Sequence, residues 1–248
     1  MTDKDDKFKM MSVPERVQIA KEKTRRVVDH LHYLLELHEN NAIVLYTRTL
    51  SQQIPTSFAA NAFNVFQHGM HQFEIIRLCA LWDRAEPEKE NIPTIIELIS
   101  HPDVIDTLAQ ETASHWQSKD DQQFGQQEAQ KARAELQKAI DDSRAIMASQ
   151  RRASIMNLRD KHLAHALSET RREKKVGPQP PMKYGDERKM LEATPPDRRG
   201  ALLLGEWHQS LIPDQQRDRP QERESAMGGL YIHHHGLGFL RAWHHCNG

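Results

Sequence analysis

The chain has 248 residues with 34 basic and 35 acidic side chains, and its net charge of −1 neither indicates nor excludes a nucleic acid partner. No window approaches the roughly 18 uninterrupted apolar residues of a membrane span, and the first residues lack the apolar core of a signal peptide. Two cysteines, Cys79 and Cys246, exclude the framework of a disulfide-rich secreted protein. We therefore expect a soluble, cytoplasmic protein without a membrane segment, in which Cys79 is a reduced and buried thiol.

The first two predicted elements are long helices. The segment 12–15, Ser-Val-Pro-Glu, predicts a helix start with serine as the N-cap and glutamate closing a capping box. Apolar residues then recur at helical intervals, so we expect this helix to end near Asn40 or Asn41. A second helix, predicted from Thr56 or Ser57 to Leu81, is rich in aromatic and aliphatic residues and should form the centre of the core.

Shorter helices and one further long helix are predicted after Leu81. Pro87 and Pro93 break the chain, and the pattern indicates short helices near residues 94–100 and 103–116. A long helix is predicted from about Gln122 toward Leu167. Nothing alternates with the period of a strand over a useful length. The fold class predicted from the sequence is therefore all-α, an antiparallel helical bundle.

Charge is distributed unevenly along the chain. Residues 86–142 carry thirteen acidic and five basic side chains, whereas residues 143–175 carry nine basic and three acidic ones. Such a basic stretch attracts a phosphate backbone through counterion release. A solvated helix face explains the same pattern equally well, and the sequence leaves both interpretations open.

The segment Arg159-Asp160-Lys161-His162-Leu163-Ala164-His165 lies inside this basic stretch and carries the strongest chemical signal. Arginine binds a phosphate with a planar fork of donors, and histidine titrates near neutral pH and can move protons. The combination can cleave RNA without a metal ion. The alternative to catalysis is a structural role, in which the histidine makes its hydrogen bonds within the fold near a helix end and the arginine is solvated.

The spacing from Arg159 to His165 resembles the Arg-x4–6-His signature of the HEPN superfamily. Two further segments, Leu81-Trp82-Asp83-Arg84 followed by Ile92–Ile96, and Lys183-Tyr184-Gly185-Asp186-Glu187-Arg188, resemble its abortive-infection, AbiU-type branch. The resemblance covers roughly residues 12 to 193 and implies an up-and-down bundle of four to five helices. Trp82 should be buried beside a surface ion pair.

The resemblance also implies a function, that of an endoribonuclease toxin of an abortive-infection or toxin–antitoxin system. Arg159 would hold the scissile phosphate of RNA, His165 would act as general acid or base, and Asp160 would orient one of them. The products would be a 2',3'-cyclic phosphate and a 5'-hydroxyl, with no metal or other cofactor required. The alternative is a catalytically inactive HEPN module that binds nucleotide or a partner such as a nucleotidyltransferase antitoxin.

The resemblance further implies a homodimer. On a straight helix that turns 100° per residue, Arg159 and His165 point about 120° apart. They can meet if the helix ends or bends near Ala164, or if two chains share one site, and the resemblance implies the second arrangement.

Residues 194–248 differ in character from the rest. They hold seven of the eleven glycines and six of the fifteen histidines, with no helical or strand period. We expect a low-structure tail, disordered or translated out of frame, after a helical domain at residues 12–193. Its runs His233-His234-His235 and His244-His245-Cys246 match no known spacing of a closed metal site, and no native metal site is expected there.

Overall fold

The computed structural model describes residues 4–46, 53–54, 58–114 and 122–194. These residues contain helices and no strand, and the predicted all-α class is confirmed. The elements are α1 (Lys4–Met10), α2 (Val13–Tyr46), α3 (Phe58–Leu81), α4 (Ile92–Ile99), α5 (Pro102–Ser114), α6 (Gln122–Ala148), α7 (Gln150–Leu158), a π-helical turn (Arg159–Leu163), α8 (Arg171–Val176) and α9 (Asp186–Ala193). Among them, no helix is long and apolar enough to cross a membrane.

Antiparallel helix pairs form the bundle. α2 packs against α3 in the antiparallel direction, because Asn41 donates a hydrogen bond to the carbonyl oxygen of Met70 at 3.1 Å while Gln67, earlier in α3, donates to that of Val44, later in α2. α5 and α6 form a second antiparallel pair, joined by an ion pair between Asp106 and Arg133 at 2.5 Å. α2 also contacts α4 and α5. Between these helices lies one apolar core, whose most deeply buried members include Leu34, Ile75, Leu78, Leu81, Trp82, Leu98, Ile99, Val104, Ile140 and Ile155.

Most predicted helices are present, with shifted ends. α2 begins at Val13 as predicted and continues to Tyr46, beyond the predicted end. α4 begins at Ile92, because the side chain of Asn91 accepts a hydrogen bond from the Thr94 N–H at 2.9 Å and caps the helix. The sequence pattern missed α1, α8 and α9, which are too short for a helical period to be visible.

Trp82 ties the last described residues to the end of α3. Its side chain is fully buried, and the indole N–H donates a hydrogen bond to the Thr194 hydroxyl oxygen at 3.1 Å. Its carbonyl oxygen accepts from the guanidinium of Arg152 in α7. Asp83, the next residue, pairs with Lys89 at 3.0 Å, so the predicted buried tryptophan beside an ion pair is confirmed. The predicted tail beyond Thr194 lies outside the described residues.

We expect Trp82→Ala to lower the free energy of unfolding by about 3–5 kcal/mol, the usual cost of truncating a buried tryptophan to alanine. The cavity would lie where α3, α7 and Thr194 meet. Urea unfolding followed by circular dichroism measures the change. Met10→Ala is the control, because 85% of the Met10 surface is exposed and its loss should change the free energy by less than about 0.5 kcal/mol. Equal effects of the two substitutions would contradict the central position of Trp82.

Candidate functional site

The signature segment does not lie on one uninterrupted helix. The long helix predicted from Gln122 toward Leu167 breaks at Ser149, where the backbone is extended at φ −69° and ψ 144°. The Ser149 hydroxyl oxygen accepts a hydrogen bond from the Arg152 N–H at 3.2 Å and caps α7. The prediction of a continuous helix is therefore wrong, because a serine side chain offered the backbone a local alternative to helix continuation.

α7 leads directly into the π-helical turn, which begins at Arg159. The Ala164 N–H donates to the Arg159 carbonyl oxygen, five residues earlier, at 2.8 Å, and the helix ends there. His165 lies beyond the helix end and is exposed. The 120° divergence expected on a straight helix therefore does not apply, whereas a helix end near Ala164, one of the two arrangements left open by the sequence, is confirmed.

Arg159 is held by two carboxylates. Its Nε donates to Asp160 Oδ1 at 2.8 Å, its Nη2 lies 2.6 Å from the same oxygen, and its Nη1 lies 3.7 Å from Asp83 Oδ1. Only 20% of the Arg159 side chain is exposed. Burial acts to lower the pKa of Arg159, but the hydrogen bond to Asp160 and the neighbouring negative charges raise it above its ordinary value. The guanidinium is a permanent cation in a fixed position.

Asp83 connects the end of α3 to the signature. Burial acts to raise the pKa of Asp83, but hydrogen bonds from Lys89 and the Arg84 N–H, together with the charge of Arg159, lower it overall. Asp83 is thus ionised and placed to neutralise Arg159 on the side away from Asp160. The contact of Asp83 with Arg159 was not predicted from the sequence, because the two residues are far apart in the chain.

An open cleft of about 600 Å³ adjoins the signature. Asp160 and His165 both line it, and Arg159 is bonded to Asp160. The structure therefore places Asp160 and His165 of one chain at the same cleft, whereas Arg159 is not among the lining residues and is connected to the cleft through Asp160. His162, one helical turn after Arg159, is exposed and is not among the residues that line this cleft.

Three cations line the same cleft. All three lie in α8 and are exposed: Arg171, Arg172 and Lys174. The sequence placed them in a basic stretch without assigning them to the site. The carboxylates of Asp160 and Glu169 offset part of this charge, and the small positive excess that remains attracts anions such as part of a phosphodiester chain.

Glu173 fixes the cleft wall to the helix that carries the signature. Its Oε1 accepts hydrogen bonds from Asn157 and Lys161, each at 3.1 Å, and its Oε2 accepts from the Thr170 N–H at 2.8 Å. The Thr170 hydroxyl donates to Asn157 Oδ1 at 2.6 Å and accepts from the Glu173 N–H, which completes a capping box at the start of α8. The segment that carries His165 is therefore anchored at both of its ends.

Hydrogen bonding sets the acidity of Glu173. The Thr170 N–H contributes most, followed by Asn157 and Lys161, and together they lower the pKa of Glu173 to about 2. Thr170, Glu173 and the side chains that bind them were not predicted as site residues. The signal was present as Thr170 followed three residues later by Glu173, which is the pattern of a capping box.

Within the described ranges, no group of three or more His, Cys, Asp or Glu side chains is arranged to hold a metal ion. The histidine-rich runs near residues 233–246 lie outside those ranges. Cys79 is a buried free thiol, as the sequence predicted, and burial raises its pKa to about 12. It is therefore a packing residue of the core and not a nucleophile.

The bundle and the signature at its helix end define a HEPN-type helical domain. Residues 22–195 match the family model described as AbiU2, an abortive-infection HEPN family, and the chain belongs to this family. No curated protein and no solved structure is similar enough to this chain to count as a relative.

The acidity of Glu173 predicts a defined pH dependence of stability. Because its pKa is lowered in the folded chain from about 4.5 to about 2, Glu173 stabilises the fold above pH 4.5, and this contribution is lost as the pH falls from 4.5 to 2. We expect Glu173→Gln to be less stable than the wild type at pH 6, with a difference that narrows as the pH falls below 4.5 and disappears only below pH 2. Urea unfolding at a series of pH values measures the difference.

Glu169→Gln is the matched control, because Glu169 lines the same cleft but is exposed. Its stability should follow that of the wild type across the pH series. A constant difference between wild type and Glu173→Gln from pH 6 to pH 2.5 would contradict the assignment of the lowered pKa to Glu173.

Proposed function

We propose that this AbiU2-family protein is a metal-independent endoribonuclease that acts as the toxin of an abortive-infection or toxin–antitoxin system in the cytoplasm. The observation that carries the proposal is that Asp160, which binds Arg159, lines one cleft together with His165 and three cations. RNA is the proposed substrate, because the reaction needs a ribose 2'-hydroxyl next to the scissile phosphate. A nucleotidyltransferase antitoxin is the proposed regulatory partner.

Each residue has a proposed role in the reaction. Asp160 binds the Arg159 guanidinium until a substrate phosphate takes the place of Asp160. Arg159 then stabilises the charge that builds on the phosphate oxygens. His165 removes the proton of the 2'-hydroxyl as that oxygen attacks phosphorus, and the 5'-oxygen leaves with a proton from a protonated imidazole or from water. The bond formed closes a 2',3'-cyclic phosphate, and the bond broken releases a 5'-hydroxyl.

The cations of α8 support a role in substrate binding. Arg171, Arg172 and Lys174 face the same cleft as His165 and would bind the phosphates that flank the scissile one. Arginine is suited to this because its planar fork can bind two phosphate oxygens at once. Binding of this kind should weaken as the salt concentration rises.

One observation favours a different function. Asp160 and Asp83 already neutralise Arg159. An arginine between two carboxylates is found in structural ion pairs as well as in phosphate-binding sites. The second candidate is therefore a catalytically inactive HEPN module that binds nucleotide or a nucleotidyltransferase through its basic surface. Purified protein that binds RNA or such a partner but releases no 5'-hydroxyl ends would support it.

Substitution of the signature residues tests the reaction. We expect His165→Ala and Arg159→Lys each to lower the rate of RNA cleavage at least about 100-fold, the usual contribution of a positioned acid or base, with unchanged helical content. Lysine keeps the charge that balances Asp160 and Asp83 but loses the planar fork. The measurement is the release of fragments that end in a 2',3'-cyclic phosphate.

His162→Ala is the matched control for His165→Ala, because His162 is exposed and near in sequence but is not among the residues that line the cleft. A chelator should leave cleavage unchanged, since proton transfer by histidine needs no metal ion. Cleavage that a chelator abolishes and zinc restores would overturn the proposed chemistry in favour of a metal site.

Mixing of two inactive variants tests whether one chain supplies the whole site. Because Asp160 and His165 line the same cleft and Arg159 is bonded to Asp160, we expect a mixture of Arg159→Lys and His165→Ala chains to be no more active than either variant alone. Mass spectrometry of differently tagged chains confirms that they exchange. Recovery toward half of the wild-type rate would show instead a site shared between two chains, as the resemblance implies.

A further inference from the structure

The stretch that runs from the start of α8 into α9 exposes positive charge with little compensation. Its three acidic side chains do not reach far into solvent, since Glu173 and Glu187 are buried and Asp186 is half-buried. Exposed carboxylates flank the stretch at Glu169 and Glu192. Three of its seven exposed cations line the cleft, and the other four extend the positive surface beyond it. This α8–α9 face comprises residues 171–189, and its exposed cations are Arg171, Arg172, Lys174, Lys175, Lys183, Arg188 and Lys189.

The connection between α8 and α9 is fixed in place. Arg172 Nε donates to Gln179 Oε1 at 3.0 Å, and Gln179 Nε2 donates to the Gly177 carbonyl oxygen at 2.9 Å. Three of the six residues from Gly177 to Met182 are prolines, which restrict the backbone, and Met182 packs against the apolar core. The cations on the two sides of this connection therefore keep a defined spacing.

One aromatic side chain, Tyr184, lies within the α8–α9 face. Its ring stacks on the imidazole of His71 from α3, with the two centroids 5.3 Å apart and the planes inclined by 11°. The His71 side chain is only 12% exposed, whereas 71% of the Tyr184 surface is exposed. His71 therefore covers one face of the Tyr184 ring and leaves the other face open to solvent. An aromatic ring with one open face among cations is an arrangement on which an unpaired nucleobase stacks.

Hydrogen bonds hold the turn that carries Tyr184. The Lys183 N–H donates to Asp186 Oδ2 at 2.9 Å, and the Asp186 N–H donates to the Lys183 carbonyl oxygen at 3.0 Å. Gly185 has φ 85°, a left-handed conformation that favours glycine. Its N–H donates to both carboxylate oxygens of the buried Glu187, at 3.2 and 3.1 Å. The ring is thus positioned before any ligand binds, which lowers the entropy cost of stacking.

The Tyr184 turn and the wall of the cleft are attached to the same helix. Asn157 of α7 donates to Glu173 at 3.1 Å, and Arg151 of α7 lies 3.5 Å from Asp186, next to the turn. The two α7 residues are six positions apart, which corresponds to a rise of about 9 Å along the helix. A strand with one phosphate in the cleft can therefore reach the Tyr184 turn within a few nucleotides.

We propose that the α8–α9 face binds single-stranded RNA, with an unpaired base stacked on the open face of Tyr184 and neighbouring phosphates bound by the cations. An acidic protein segment would be attracted by the same cations but would make no use of a flat, open ring, so the surface fits RNA better. The inference rests on the proposed function, because it extends the substrate site beyond the cleft. Binding itself, however, does not require cleavage.

The affinity for an uncleavable RNA measures the contribution of Tyr184. The probe is a labelled single strand of about 12 nucleotides whose 2'-hydroxyls are replaced by fluorine, so that the attacking group is absent. In the full-length chain, we expect Tyr184→Ala to weaken binding at least about 5-fold, because the stack on the aromatic ring is lost. Tyr184→Trp should bind as tightly as the wild type. Fluorescence anisotropy gives the dissociation constants, and circular dichroism compares the helical content.

Tyr33→Ala is the matched control, because Tyr33 is an exposed tyrosine of α2 outside the α8–α9 face, and its loss should leave the affinity unchanged. Tyr184→Leu tests a purely structural role, since leucine still covers His71 but offers no aromatic face. It should bind as weakly as Tyr184→Ala, and the comparison of leucine with tryptophan remains informative if the alanine variant does not fold. Wild-type affinity in a folded Tyr184→Ala or Tyr184→Leu chain would overturn the proposal.

A duplex of the same strand with its complement separates stacking from attraction by charge. Its bases are paired, so Tyr184→Ala should bind the duplex as the wild type does, whereas Lys183→Ala and Lys189→Ala should each weaken the binding of both forms. A loss of duplex affinity in Tyr184→Ala equal to the loss for the single strand would overturn the stacking role. A polyglutamate peptide whose binding depends on Tyr184, when that of the RNA strand does not, would assign the face to an acidic protein partner instead.

The outcomes for this binding site and for the enzyme are separate. If the uncleavable strand binds in a Tyr184-dependent way and the wild-type chain cleaves no natural RNA, the proposed function fails and the binding site stands. If natural RNA is cleaved and Tyr184→Ala changes neither the affinity for the uncleavable strand nor the KM for cleavage, the reverse holds.

Discussion

The arrangement of the signature depends on the guanidinium of Arg152. Its Nε and Nη2 donate to the Trp82 carbonyl oxygen at 3.0 and 2.7 Å, and its Nη1 donates to the carbonyl oxygen of Met147 at 3.2 Å. Burial lowers the pKa of Arg152, although the charge of Asp83 opposes this. The contact satisfies carbonyl groups where α3 and α6 end, and it sets the position of Asp83 relative to α7.

From this fixed point, the charges of the site divide into two sets. The inner set holds backbone segments together: Asp83 and Asp160 bind Arg159, and Glu173 binds Lys161. The outer set consists of the cations of α8, which line the cleft together with the carboxylates of Asp160 and Glu169. The inner carboxylates therefore compensate cations that would be costly to leave unpaired, while the cleft keeps an excess of positive charge toward solvent.

The sequence predicted the all-α class and most of the long helices, because apolar residues at helical spacing are a strong signal over 20 residues or more. It also pointed to Arg159, Asp160 and His165 as candidate site residues, through the resemblance of their spacing to a family signature, and their roles stay a prediction. It did not predict the break at Ser149, since one serine within a helical pattern is also compatible with a continuous helix. The contacts of Arg159 with Asp83, and of Glu173 with Asn157, join separate segments, and no local pattern encodes them.

The π-helical turn makes two properties of the signature independent: the pairing of its backbone hydrogen bonds and the number of residues between the arginine and the histidine. A turn closed by a bond to the fifth residue back is equivalent to an α-helix with one residue inserted. Loss of one residue within Arg159–Leu163 would let the turn close as an ordinary α-helix with its backbone bonds paired, because the narrower turn needs one residue fewer. The chain can therefore gain or lose a residue between the arginine and the histidine at this point without rebuilding the bundle, and the turn is a place where evolution can change the spacing of the signature.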